Sequence, residues 1–315
     1  MGGNFLESLD INKLDETINN AVCYLKNNQK KDGSVMLNND SRWQVWETAN
    51  SLLGVIDSRE KEKKFIDKTL NFLLKAQRKD GSFSYTLSYD IDNYCMETTS
   101  TCLLVLEKLK QDTTKCINFI LNKQNKDGSW EIGIPDMIKH RFWPSITGHV
   151  LNSLLSLNIS NENISKGFDY LFQKQLTDGS WGSSWIYYDT PYYSTYVILP
   201  ALKLYGLEND KRFKNCIKFI EKNQNKDGSW CMDTTDKPRP SKSLRTSLAL
   251  NSLLVSPRNL NKNIINNGIK WLLNDQRTDG SWDGGYFVNW PEKKEDILAT
   301  SYAIRSISKF RESFF

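Results

Sequence analysis

Glu47 and Glu97 each stand directly before a threonine at the start of an apolar stretch, in Trp46-Glu47-Thr48 and Met96-Glu97-Thr98. A carboxylate in that place can serve the amino end of a helix, where free N–H groups and the helix dipole favour negative charge. Buried and kept neutral among aromatic rings, it can instead be a general acid. Protonating an isolated alkene demands a very strong acid; an imine, carbonyl or enol ether demands less. Asp90 and Asp92 form a second acidic pair in a loop, where solvated carboxylates are the simpler reading. Aromatic residues cluster in the same parts of the chain. Trp43, Trp46, Tyr94, Trp143, Tyr192, Tyr193 and Tyr196 open apolar stretches, and Trp185, Tyr188 and Trp290 lie in the segments before them. Aromatic faces stabilise cations, and a water-poor pocket lined with rings shields a reactive intermediate. The same rings could also simply fill a core.

Other chemistries find little support. The basic run from Lys237 to Arg245 offers Arg239 and Arg245 as a weak anion site, with a solvated charge run as the plainer reading. No Asp-Asp pair exists to hold magnesium. The six cysteines, at 23, 95, 102, 116, 216 and 231, form no C-x-x-C, and His140 and His149 are the two histidines. His149 reads as a hydrogen-bonded packing residue. There is no nucleophile elbow, phosphate loop or dinucleotide fingerprint. The sequence therefore predicts neither a metal nor a cofactor.

Composition agrees with a globular chain. Charged residues are 25% and hydrophobic residues 39% of 315, and the formal charge of +5 is spread along the chain, so nucleic acid is not an expected partner. No apolar run approaches the roughly 20 residues of a membrane helix, and the first residues lack the pattern of a signal peptide. The expectation is a cytoplasmic protein with reduced thiols; peripheral membrane contact and oligomeric state are left open. The unusual feature is 10 Trp, 13 Tyr and 14 Phe, 12% of residues.

The elements that must position these side chains come from a repeat. Q-x-x-D-G-S followed by an aromatic or Val begins at Gln29, Gln77, Gln124, Gln175, Gln224 and Gln276. Periods near 50 residues mark repeat architectures. Before each Gln runs an amphipathic helical stretch, with apolar residues three and four apart, such as Phe65, Leu70, Leu73 and Leu74. Asp-Gly is expected to end that helix through a left-handed Gly. After each motif comes a stretch apolar on all sides, such as Leu103 to Leu106, which should be buried on all sides. Six such pairs predict an all-α fold, a closed (α/α)6 toroid over residues 1–315, with outer amphipathic and inner apolar helices and little β structure. The first and last units lack the polar caps of an open solenoid. The Gln amide should bond backbone at a helix end, and the Trp should stack on that amide and cover the neighbouring pair.

The motif resembles the QW repeat of the squalene–hopene and oxidosqualene cyclases, related to diterpene class II cyclases and protein prenyltransferase β subunits. Val45-Trp46-Glu47-Thr48 resembles V-W-D-T, and Thr147-Gly148-His149-Val150-Leu151 resembles T-G-[RH]-V-L, in the family's order. Pro191-Tyr192-Tyr193-Ser194-Thr195 is similar to the P-Y-Y-x-T of diterpene class II cyclases. In that family a D-x-D-D-T-A segment opens the intervening inner helix and its protonated Asp attacks an alkene or epoxide. The matching stretch is Tyr94-Cys95-Met96-Glu97-Thr98-Thr99, so Met96 stands at the position of the donor and Glu97 keeps the last acidic position. The resemblance implies acid-initiated, metal-independent cyclisation of an apolar polyene or related precursor, with Glu97 as acid and Glu47 as its partner. Two alternatives remain: the same ring with changed chemistry on a non-terpene metabolite or modified peptide, and a non-catalytic ring that binds a lipid or protein segment.

Overall fold

The computed structural model describes residues 9–60, 62–87, 93–134, 143–182, 190–231, 241–255, 262–287 and 290–315. Among them twelve α-helices alternate along the chain in six pairs: α1 (Ile11–Asn27) with α2 (Gln44–Ser58), α3 (Lys63–Ala76) with α4 (Met96–Lys108), α5 (Thr114–Asn122) with α6 (Pro144–Ser156), α7 (Glu162–Lys174) with α8 (Pro191–Leu204), α9 (Lys211–Lys222) with α10 (Lys242–Leu253), and α11 (Lys262–Asp275) with α12 (Asp296–Phe314). A short antiparallel hairpin, β1 (Tyr286–Phe287) and β2 (Trp290–Lys294), precedes α12.

The even-numbered helices form an inner ring. Each packs on the next, and α12 packs on α2. The odd-numbered helices form the outer layer, each behind the inner helix that precedes it, with α1 closing behind α12. Patterning explains the division. In α9, Phe213, Cys216, Ile217, Phe219 and Ile220 are buried on one face, the stripe of a helix with one dry side. In α4, every residue from Met96 to Leu106 is buried.

The repeat motif is the joint between units. In five of the six units the Gln amide donates to a carbonyl of the following outer helix: Gln29 to Phe65, Gln124 to Asn163, Gln175 to Arg212, Gln224 to Ile264 and Gln276 to Thr17, at 2.7–3.0 Å. The motif Gly has φ between +87° and +102° in all six units, a conformation open to glycine. Its missing side chain is needed twice over. A Cβ there would lie 2.1–2.6 Å from the carbonyl oxygen or carbon of Lys68, Lys115, Lys166, Asn215, Asn267 or Asn20. The residue after each of these is small: Thr69, Cys116, Gly167, Cys216, Gly268 and Ala21. The sixth motif therefore docks on α1 in the register that every other motif uses on its successor, and this closes the ring. Arg311 to Asp15 (2.6 Å) and Arg59 to Glu312 (2.6 Å) reinforce the seam.

One expectation about the motif needs correction, and the Trp has a further job. The outer helices end at or just before the Gln, as α1 does at Asn27, and the left-handed Gly belongs to the tight turn beyond. The Trp indole N–H is used to cap a helix: Trp130, Trp181, Trp230 and Trp282 donate to Ile120, Leu171, Ile220 and Leu272 at 2.8–2.9 Å. These carbonyls lie in the last turn of each outer helix, where the regular ladder of acceptors runs out; Ile120 and Ile220 also accept from the N–H of Lys123 and Asn223, at 3.1 and 3.2 Å. The rings do cover the next unit, because Trp130 packs on Gly167 and Trp230 on Gly268.

Candidate active site

A threonine in each of five inner helices fixes their common height. The hydroxyls of Thr48, Thr99, Thr147, Thr246 and Thr300 accept from the backbone N–H of Val35, Phe83, Trp130, Trp230 and Trp282, at 2.8–3.2 Å. Two residues before the threonine stand Trp46, Glu97, Ser145, Leu244 and Leu298. These share one register at the amino ends of the inner helices. Ser145 reaches Glu97 Oε1 at 3.5 Å, and Trp46 meets His149 edge-on with 5.8 Å between centroids although α4 stands between their helices. Glu97 is 2% exposed. Burial, with the neighbouring Glu97 adding to it, pushes the Cys95 thiol up to about 12.

Glu47 is one residue before its threonine, Glu97 two. The sequence reading treated the two as equivalent; this register separates them by one residue, a rotation of about 100° at 3.6 residues per turn. Glu47 is fully buried on the side of α1 and contributes, after burial, Asp296 and Asp279, to raising the Tyr24 phenol.

Deeper in the ring a polar chain crosses between inner helices. His149 Nε2 and Tyr193 OH share a hydrogen bond of 2.8 Å. Burial, with Arg305 adding to it, pushes His149 down to about 3, so its imidazole is neutral. Tyr193 lies 6.4 Å from Tyr196, and Tyr196 5.2 Å from Tyr302 in an edge contact. Arg305 of α12 donates to the Tyr196 hydroxyl and, at 2.7 Å, to Asp57 of α2. Asp57 also pairs with Lys108 at 3.1 Å.

The remaining expected residues divide. Trp43 lies at the mouth against Tyr85, 4.5 Å between centroids. Tyr94 turns to α5, edge-on to Phe119 and bonded to Glu131 at 3.1 Å. Trp143 precedes α6 and is partly buried. Tyr192 is buried toward Phe219 of α9. Arg245 is 1% exposed and donates to Cys231 Sγ at 3.0 Å. Trp290 opens β2. Asp90, Asp92, Trp185, Tyr188 and Arg239 lie outside the described residues. Sequence reading missed Tyr302, Arg305 and Asp57. Tyr302, Arg305 and Lys309 are three and four apart on one face of α12, a polar stripe legible in the sequence. Among the described residues no group of three or more His, Cys, Asp and Glu is placed to hold a metal ion, and no helix is long and apolar enough to cross a membrane.

A closed helical ring with a buried carboxyl and aromatic side chains turned inward has the fold of the class II terpene cyclase toroids. The sequence profile of the squalene-hopene cyclase C-terminal domain matches residues 3–134 and 138–293, and the chain belongs to that family. The squalene–hopene cyclase of Zymomonas mobilis subsp. mobilis is 28% identical over 141 residues, 42% of this chain and 21% of that protein. Protostadienol synthase A of Arthroderma gypseum is 31% identical over 123 residues, 36% of this chain and 16% of that one. The chain thus spans about a fifth of the length of these curated relatives in the matched regions. Among solved structures, the type II terpene cyclase MstE from Scytonema superposes with a TM-score of 0.78 at 16% identity, over 96% of this chain and 99% of that one. A possible member of the GH105 family from Salmonella enterica superposes with a TM-score of 0.71 at 12% identity, over 100% and 97%. At these identities the likeness concerns the fold.

Proposed function

We propose that this protein is a class II terpene cyclase-like enzyme that protonates and cyclises an apolar polyene or related precursor without a metal, working in the cytoplasm. The observation that carries the reading is the place of Glu97. It is a buried carboxyl in the register of Trp46, whose indole reaches across to His149, and Ser145 of the same register is 3.5 Å from it. Removing a carboxyl from water favours its neutral form in general, and a neutral acid is what proton donation needs. Once the substrate carries positive charge, the faces of Trp46, Tyr193 and Tyr196 stabilise it and the closed wall keeps water away. MstE, of the same fold, has been solved with geranylgeranyl dihydroxybenzoate as substrate, which supports an apolar polyene as the ligand class.

A second reading keeps the ring and changes the reaction. Met96, fully buried, stands where the resemblance places the donor Asp. The remaining acid is a glutamate, suited to a more basic target such as an enol ether or carbonyl. Incubating the purified protein with a panel of polyenes, prenylated aromatics and host extract, with mass spectrometry of the products beside Glu97→Gln, tests both. Cyclised polyene that disappears in Glu97→Gln supports the first reading. Conversion only of a non-terpene component supports the second, and no conversion of anything leaves a binding ring.

A further inference from the structure

Opposite walls of the inner ring touch one another. Two helices separated by a third in a closed ring can meet only through its interior. The edge contact of Tyr196 with Tyr302, 5.2 Å between centroids, joins α8 to α12 in this way, because α10 packs between those two helices. Arg305 makes the same crossing, from α12 to the Tyr196 hydroxyl. The contact of Trp46 with His149 joins α2 to α6 across α4. Bonds from His149 to Tyr193, and from Arg305 to Asp57 of α2, tie the crossings into one circuit. All these aromatic side chains, His149 and Arg305 are buried.

The deeper crossing is firmly held. Arg305 is fixed by Asp57 at 2.7 Å, and Asp57 by Lys108 at 3.1 Å. Asn251 of α10 donates to the Tyr302 carbonyl at 2.9 Å. Its height follows from the shared register of Thr99 and Thr300, whose hydroxyls hold equivalent N–H groups of two motifs. Glu97 stands two residues before Thr99, while Tyr302 and Arg305 stand two and five after Thr300. At 1.5 Å per residue, Tyr302 is about 6 Å and Arg305 about 10 Å further along the helices than Glu97.

We infer that Tyr196, Tyr302 and Arg305 form the floor of the ligand site and set the length of the ligand, which enters at the amino ends of the inner helices. A fully extended backbone advances about 1.2 Å per bond, so an interval of about 10 Å takes about eight bonds of an extended carbon chain, the length of two isoprene units. A chain folded for ring closure advances less per bond, which admits a third unit. A fourth meets the floor. Pairing with Asp57 also offsets the Arg305 charge, which would otherwise oppose positive charge on a ligand above it. Placing the reacting end at Glu97 rests on the cyclase reading; the floor does not.

The test is equilibrium dialysis of the whole protein with uncharged linear prenyl alcohols of two, three and four isoprene units, followed by mass spectrometry of the recovered alcohols. Two and three units should bind saturably, and four units at least about tenfold more weakly, the discrimination a filled apolar pocket gives. In Tyr302→Ala the four-unit alcohol should bind nearly as tightly as the three-unit one, while Tyr302→Phe keeps the length profile of the parent. Loss of a merely structural tyrosine weakens all three alcohols alike. The inference is overturned if the parent binds four units as tightly as three, if Tyr302→Ala keeps the parent's profile, or if no alcohol binds. Should Tyr302→Ala fail to fold, Tyr302→Leu is judged by the same change of profile. Alcohols bound within the length limit but never converted leave the floor standing and count against the cyclase reading. Conversion of the four-unit alcohol by the parent keeps that reading and removes the floor.

Discussion

The imidazole of His149 rests against the indole edge of Trp46, at an interplanar angle of 69°, although the two helices are not neighbours in the ring. The contact spans part of the interior at the height where Tyr193 holds the other side of the imidazole. Because burial keeps His149 down near 3, its ring should stay neutral across the range in which a free histidine titrates.

The sign of the pH effect follows. The unfolded chain binds a proton at His149 near pH 6.5, and the folded protein does not until about pH 3. Stability should therefore rise with pH through that window and be lost as the pH falls below 6.5. Imidazole C–H resonances of His149 that stay flat from about pH 8 to pH 5 would agree; a midpoint near 6.5 would place the ring in water.

Glu97→Gln keeps size and hydrogen bonding but removes the proton to be donated. Turnover should fall about 10²-fold or more, with the melting temperature within a few degrees of the parent. A purely helix-capping Glu97 predicts the opposite: a stability loss of about 1 kcal/mol with turnover little changed. Product formation and thermal melts on the same preparation separate the two.

Gly280→Ala attacks the ring closure. Gly280 has φ +87°, and an added Cβ would lie 2.2 Å from the Asn20 carbonyl oxygen. Gly206 has φ +81° with nothing within 4 Å of the same atom, so Gly206→Ala shows the backbone strain alone, about 1 kcal/mol. The expected outcome in denaturant titrations is a loss for Gly280→Ala larger by about 1–3 kcal/mol, the usual range for overpacking.

Trp230→Phe keeps most of the ring volume and removes the N–H that serves Ile220, where the bond is 2.8 Å. The Ile220 carbonyl keeps the Asn223 N–H at 3.2 Å, so the loss is that of one hydrogen bond, about 0.5–1.5 kcal/mol. The loss should appear in equilibrium unfolding with little effect on product distribution, because the indole faces the seam between units and not the interior.

The sequence by itself determined the six-fold architecture. The Gln and the Gly of each motif, with the aromatic residue in five of the six, are local signals, and the outer stripes and more apolar inner stretches follow from helical periodicity, which the chain alone carries. Closure was also legible, because the first and last units lack the polar caps of an open solenoid; that Gly280 docks beside Ala21 came from the structure. What the tertiary structure decided is direction. One residue of register, set by the bonds between Thr48 and Val35 and between Thr99 and Phe83, gives Glu97 the register of Trp46 and turns Glu47 away from it by about 100°, though each precedes a threonine in the sequence. The sharing of Asp57 by Arg305 and Lys108 joins residues 57, 108 and 305. Such contacts depend on how the ring closes, and no local pattern in the chain encodes a distance across it.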